Sequence, residues 1–430
     1  MNIVTLNKIK GLRGEITPPP DKSISHRAVM FASIAEGHSR VRNFLRAEDP
    51  VSTMNAMRAL GVEITEQESG DLVVEGKGLH GLTEPLDVIN CGNSGTTVRL
   101  ISGMLAGNPF FSALTGDDSL RQRPMARVIS PLREMGAVIS GREEDKYLPL
   151  SIRGGRLKAM NYMMPTASAQ VKSCLVLAGL YADGTTVITE PFKSRDHTER
   201  MLGAMGAGLK VEGLSVKVGC GGGLHAIDMT VPSDFSSAAF FMAAALIVPN
   251  SDIVIRNVGI NPTRTGFLDV IREMGAVVEM HNVREVSGEP VADFRLRTAP
   301  ALRSVKIGRE TVSSMIDEFP ILCVLASQAE GVTEIRGAEE LRVKESDRIR
   351  AMAVELRKIG VEVEEYPDGI AVKGKALLKG CEVESYGDHR IAMSFSIAAL
   401  VAEGKTVINN ASCVDISFPG FYDRLREIAV

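Results

Sequence analysis

The sequence predicts an α/β protein of two pseudo-threefold domains, each made of three repeated α/β units around buried parallel helices. Three observations predict it: one pattern recurs six times, the 430 residues are too many for one ordinary core, and two crossings divide the repeats three and three.

In each repeat a polar cluster leads into an apolar helix-length run, a break, and a short β-branched strand. The first copy runs from Ser25 to Gly37 and continues at Arg40-Val41-Arg42-Asn43-Phe44. The second spans Gly95 to Gly107, and the third starts at Ser168 and passes through Gly184 into Thr185-Thr186-Val187-Ile188. The fourth starts at Ser236 and breaks at Pro249-Asn250; its run 238–248 is apolar on nearly all sides, which predicts a fully buried helix. The fifth starts at Asp317 and breaks at Gly331, and the sixth runs from His389 to Gly404, then Thr406-Val407-Ile408.

A second submotif lies between these, an amphipathic helix closed by glycine and followed by a strand. Gly61, Gly136, Gly206, Gly275 and Gly360 stand at the closures, where a left-handed residue ends a helix. A sixth copy begins at Tyr422, but the sequence stops where its strand should follow, so the strand expected at 3–6 is the substitute. The crossings fall near 17–22, stiffened by Pro18-Pro19-Pro20, and near 229–236. One domain is therefore expected at 21–232 and the other at 1–20 plus 233–430, with a hinge and a ligand cleft between them.

A net charge of −4 gives no reason to expect nucleic acid or a membrane surface as partner, so substrate arguments rest on local cationic clusters. Six cysteines without a Cys-x-x-Cys pair read as reduced thiols. The first residues lack a signal pattern and no apolar run reaches membrane-spanning length, so a cytoplasmic protein is expected. Gly76-Lys77-Gly78-Leu79-His80-Gly81 matches a dinucleotide fingerprint by letters but leads into Thr83-Glu84-Pro85, not a helix. There is no Walker loop and no His/Cys set with zinc spacing, and Gly221-Gly222-Gly223 reads as a tight turn.

The chemistry gathers where the buried helices begin. Lys22, Ser23, Ser25 and Arg27 introduce the first, Asn93 to Arg99 the second, Ser168 and Gln170 the third, Asp317 the fifth, and Asp388-His389-Arg390 the sixth. Helix N-termini bind anions, and adjacent Lys or Arg adds full charge. Each feature has a bland alternative, a helix cap or a solvated cation. The alternative weakens because these apolar helices carry charge at one end only. Arg121 and Arg123 sit closely spaced in the loop from Asp117 to Pro124, which suits either a salt bridge or a clamp on carboxylate or phosphate. On a helix, Lys344, Glu345 and Arg348 would share one face, as a site or as a local ion-pair cluster.

Asp21-Lys22-Ser23-Ile24-Ser25-His26-Arg27, Gly92-Asn93-Ser94-Gly95-Thr96 and Ser119-Leu120-Arg121-Gln122-Arg123-Pro124-Met125 resemble motifs of the EPSP synthase family. So do Arg195-Asp196-His197-Thr198-Glu199, Val343-Lys344-Glu345-Ser346-Asp347-Arg348 and Gly387-Asp388-His389-Arg390, in one order along nearly the whole chain. The resemblance implies the enolpyruvyl-transferase fold, an inside-out α/β barrel. It also implies transfer of the enolpyruvyl group of phosphoenolpyruvate to the 5-hydroxyl of 3-phosphoshikimate, without metal or organic cofactor, by a monomer.

Carried over by position, it implies that Lys22, Ser23, Arg27, Ser168, Ala169, Gln170, Arg195, Asp317 and Lys344 hold phosphoshikimate. Lys22, Gly95, Arg123, Gln170, Arg348 and Arg390 would hold phosphoenolpyruvate, with which glyphosate competes in this family. Asp317 would take the hydroxyl proton, Glu345 would protonate the methylene carbon, and Lys22 would be a third proton carrier. Ala169, Glu340 and Ile416 depart from many relatives and are similar to the family's second sequence class. Two other readings are a sister enzyme acting on UDP-N-acetylglucosamine and a non-catalytic sensor of anionic metabolites. Asp118, where the sister enzyme has cysteine, speaks against the first, and the acids Asp317 and Glu345 against the second.

Overall fold

The apolar runs form six helices: Lys22–Ser33, Gly95–Ala106, Ala169–Gly179, Phe235–Ile247, Phe319–Ala326 and His389–Ala399. The structure, a computed structural model, describes residues 2–219 and 222–430. Cys220 and Gly221, part of the cysteine and tight-turn expectations, lie outside the described residues, and the five described cysteines are free thiols.

Local chemistry sets where these helices start. Asp21, Ser94, Ser168, Asp234 and Asp388 each cap one by accepting a backbone N–H from its first turn. The shorter amphipathic helices end at glycines with positive φ: Gly61 at 86°, Gly136 at 110°, Gly206 at 90°, Gly275 at 98° and Gly360 at 95°.

Among the described residues, five four-stranded sheets share one plan. The strand after a buried helix pairs in parallel with an edge strand on one side and antiparallel with a hairpin on the other. Glu36–Arg42, for example, lies between Met229–Thr230 and the hairpin of Glu63–Glu66 with Leu72–Lys77. The sheet of the sixth repeat has three strands, Ile3–Asn7 pairing antiparallel with Lys405–Asn409 in register Ile3 to Asn409. The strand from the start of the chain thus completes the last repeat.

The chain divides into two compact units, one of Pro20–Val231 with Val286–Glu289, the other of Met1–Pro19, Pro232–Glu285 and Pro290–Val430. Each has its own apolar core. In the first unit Gln170 bonds Thr96, and Arg27 bonds Ser173, so the N-terminal turns of its three buried helices lie side by side. In the second, Ser236 bonds Glu318, and Arg390 bonds Asp317, with the same result. A Cβ on Gly103 would collide with the Cys174 carbonyl, so glycine permits the close approach of the second and third helices.

Candidate active site

In the Pro20–Val231 unit the three N-terminal turns bring Lys22, Ser23, Arg27, Gly95, Ser168, Ala169 and Gln170 together, and every one is buried or half-buried. Lys22 Nζ lies 2.9 Å from Asp49 Oδ2, an ion pair that holds the ammonium at the mouth of its helix. Arg27 is 3% exposed; its Nε donates to Thr198 Oγ1 and its Nη2 to Ser173 Oγ, each at 2.8 Å. Burial pulls this guanidinium down to about 10, against the nearby Glu199 carboxylate and helped by Arg195. Arg27 stays charged at neutral pH, and Arg195 is close enough to be felt electrostatically.

Arg195 sits on a loop anchored by a buried cation. Lys172 Nζ, fully buried, lies 2.5 Å from Glu190 and 2.7 Å from Glu199, and Glu190 accepts the Ser194 N–H at 2.7 Å. Lys172 sits on the same helix as Gln170, so the ion cluster ties the Arg195 loop to that helix. The neighbouring network is centred on Arg99, whose Nη1 donates to Gln170 Oε1 at 2.9 Å and whose Nη2 reaches the Pro124 carbonyl at 3.4 Å. Gln170 Nε2 in turn donates to Thr96 Oγ1 at 3.1 Å. Arg123 Nη2 donates to Asn93 Oδ1 at 2.6 Å and to Ser119 Oγ at 3.1 Å. Arg121 turns instead to Asp118 and the Gly116 carbonyl, so the two arginines of this loop do not make one fork.

In the other unit one guanidinium joins the two acids. Arg348, 1% exposed, places Nη1 3.4 Å from Asp317 Oδ1, Nη2 2.7 Å from Glu345 Oε2 and Nε 2.8 Å from Asp388 Oδ2. Burial opposes its charge, but Asp388 and Glu345 outweigh that and hold it above the usual arginine range. Arg390 Nη1 donates to the Asp317 carbonyl at 3.3 Å, and its Nη2 lies 3.5 Å from Asp317 Oδ2. Lys344 Nζ is 3.8 Å from Glu340.

One expectation from the sequence is corrected here. Lys344, Glu345 and Arg348 do not share a helix face. A 3-10 turn covers Glu339–Val343, Lys344 is extended, and the helix Arg348–Lys358 starts only after Asp347, which caps it by accepting the Arg350 N–H. Lys172, in the first turn of its buried helix, adds a further cation at the N-terminal end, neutralised by Glu190 and Glu199. Sequence reasoning missed Asp49, Lys172 and Arg264. A lysine inside an apolar helix is a visible signal; the partners of the other two come from distant segments.

Among the described residues no cluster of His, Cys, Asp and Glu could hold a metal ion, and no helix is long and apolar enough to cross a membrane.

A family model described as EPSP synthase (3-phosphoshikimate 1-carboxyvinyltransferase) matches residues 6–425. The chain is 56% identical over 424 residues to a 3-phosphoshikimate 1-carboxyvinyltransferase of Thermodesulfovibrio yellowstonii, covering 98% of this chain and 99% of that protein. It is 53% identical over 428 residues to the protein of the same name from Geobacter sp. strain M21, covering 100% and 99%. A solved EPSP synthase from Acinetobacter baumannii superposes with a TM-score of 0.88 at 45% identity, covering 99% of this chain and 98% of that one. The enolpyruvyl transferase NikO from Streptomyces tendae, at 17% identity and a TM-score of 0.81 over 100% and 98% of the two chains, shares the fold.

Proposed function

This chain belongs to the EPSP synthase family, and from that premise we propose which of its residues carry enolpyruvyl transfer from phosphoenolpyruvate to the 5-hydroxyl of 3-phosphoshikimate. Asp317 takes the hydroxyl proton as the oxygen bonds to C2 of phosphoenolpyruvate, and Glu345 gives a proton to C3. The product of this addition is a tetrahedral intermediate. In the elimination the bond from C2 to the phosphate oxygen breaks, Glu345 takes a proton back from the methyl carbon, and phosphate leaves with the proton that Asp317 had taken from the hydroxyl. The two products are 5-enolpyruvylshikimate 3-phosphate and phosphate.

The observation that carries this reading is the single buried Arg348 reaching both Asp317 and Glu345. Addition across one double bond needs a base and an acid a few ångströms apart, and a shared guanidinium fixes that spacing. Lys22, Ser23, Arg27, Ser168, Ala169, Gln170, Arg195, Asp317 and Lys344 hold phosphoshikimate. Lys22, Gly95, Arg123, Gln170, Arg348 and Arg390 hold phosphoenolpyruvate. Their concentration at capped helix N-termini, where free N–H groups and cations attract phosphate and carboxylate, supports these roles. Ala169 offers only its backbone there. Lys22, held in place by its ion pair with Asp49, is the third proton carrier in this reading.

The test is release of phosphate from phosphoenolpyruvate in the presence of phosphoshikimate, with UDP-N-acetylglucosamine as control acceptor. Release with the control acceptor alone would overturn the reading, and no release with either would leave a binding protein.

A further inference from the structure

Three guanidiniums lie against the Asp317 carboxylate, and the reaction as assigned uses only two. Arg348 and Arg390 approach it to 3.4 and 3.5 Å, and both are read as phosphoenolpyruvate ligands. The third is Arg264, whose Nη1 is 3.6 Å from Asp317 Oδ2. Arg264 is 2% exposed and lies in the turn between the strand Asp252–Gly259 and the helix Gly266–Glu273, its N–H bonded to the Asn261 carbonyl at 2.8 Å. Its Nη2 donates to Ser236 Oγ at 2.5 Å, in the first turn of the helix Phe235–Ile247. Ser236 passes the link on by donating to Glu318. The guanidinium also faces Glu318 at 3.9 Å and Asp234 at 4.0 Å.

We infer that Arg264 is the positioning residue of the base, holding the Asp317 carboxylate ionised and in place when Arg348 and Arg390 are drawn to substrate anions. The inference rests on the reading of Asp317 as the base. An arginine that engages a substrate phosphate or carboxylate has its charge compensated there, so its pull on Asp317 weakens as the substrate binds. Asp317 thereby becomes a stronger base when the hydroxyl arrives. Without a remaining cation it would also become easier to protonate from solvent and free to swing. Arg264 is buried and tied to Ser236, so it cannot follow the ligand. The charged groups around Asp317 are then Arg264, Arg348 and Arg390, with Glu318 and Asp234 facing Arg264 and Glu345 and Asp388 facing Arg348.

The test is the pH dependence of kcat at saturating substrates. Removing a cation within about 4–6 Å of a carboxylate raises its pKa by about 1–3 units. Arg264→Gln is therefore expected to move the acid limb of kcat upward by about one unit, and Arg264→Lys, which restores the charge, to bring it back toward the wild-type position. Glu318→Gln is nearly isosteric and leaves the Arg264 charge less compensated, so it should move the same limb downward. A merely structural role for Arg264 would lower kcat by one factor at every pH and leave the limb in place, and that result overturns the inference. If Arg264→Gln does not fold, Glu318→Gln decides alone, an unmoved limb being the overturning result. Asp317→Asn run in parallel separates the two levels. Wild-type turnover there removes the base assignment, whereas a dead Asp317→Asn with unmoved limbs removes only the role of Arg264.

Discussion

Asp317 and Glu345 have an arginine in common that is also a candidate substrate ligand. Asp317→Asn and Glu345→Gln keep shape and remove acid–base function, so each should lower kcat by about 10²–10⁴-fold while phosphoshikimate binding, followed by calorimetry, changes far less. His26 makes a prediction of another kind. It is fully buried, its Nδ1 2.6 Å from Thr53 Oγ1, and Thr53 continues through Thr97 to the helix cap Ser94. Burial, reinforced by Lys22 and Arg27, holds its pKa well below the ordinary 6.5. Between that depressed value and 6.5 the unfolded chain binds the proton and the folded chain does not. The contribution is therefore present above about 6.5 and lost as pH falls through that window, at up to about 1.4 kcal/mol per pH unit. Melting temperatures at falling pH should drop more steeply in the wild type than in His26→Gln; parallel curves would refute this. Neither the His26 chain nor the Lys22–Asp49 pair could be read from sequence, because their partners are brought in by another helix.

The buried helices were the most legible elements, because an apolar run and a capping side chain are both local. The stretch after Leu341 was misread for a reason that is also local: Ser346-Asp347 is a helix-start signal, and giving it weight would have moved the helix past Glu345. Two predictions belong to these helix starts. A Cβ on Gly95 would stand 2.6 Å from Arg99 Nη1 and 3.5 Å from Arg123 Nη1. Arg99 must then shift, and it is the group that holds Gln170. Gly95→Ala should raise the KM for phosphoenolpyruvate several-fold, with little loss of thermal stability because the displaced atom ends a flexible side chain; an unchanged KM would contradict the assignment of Gly95 and Gln170. Lys172→Met leaves Glu190 and Glu199 buried beside each other without their cation. Breaking a buried pair from one side costs about 3–5 kcal/mol, which a shifted urea midpoint would report. A change below about 1 kcal/mol would place that pair among surface bridges in effect.

On the scale of the molecule, the repeat and its sixfold count were legible because five units spell out the same helix, glycine closure and strand and the sixth begins it. The same count divides three and three, and two separate apolar cores result, one around the helices starting at Lys22, Gly95 and Ala169, the other around those starting at Phe235, Phe319 and His389. Separate cores predict that heat unfolding departs from a single two-state transition. Scanning calorimetry should give a calorimetric enthalpy larger than the van't Hoff value, and equality of the two would contradict the prediction. The pairing of Ile3–Asn7 with Lys405–Asn409 bears on how the chain is made on the ribosome. The Pro20–Val231 segment has nearly all its partners as soon as it emerges, and can fold while synthesis continues. The first strand must instead wait for Lys405, which at about 5–20 residues per second takes on the order of tens of seconds. During that time Ile3–Asn7 is an open strand edge, and the nascent chain depends on not finding another partner for it before its own last repeat arrives.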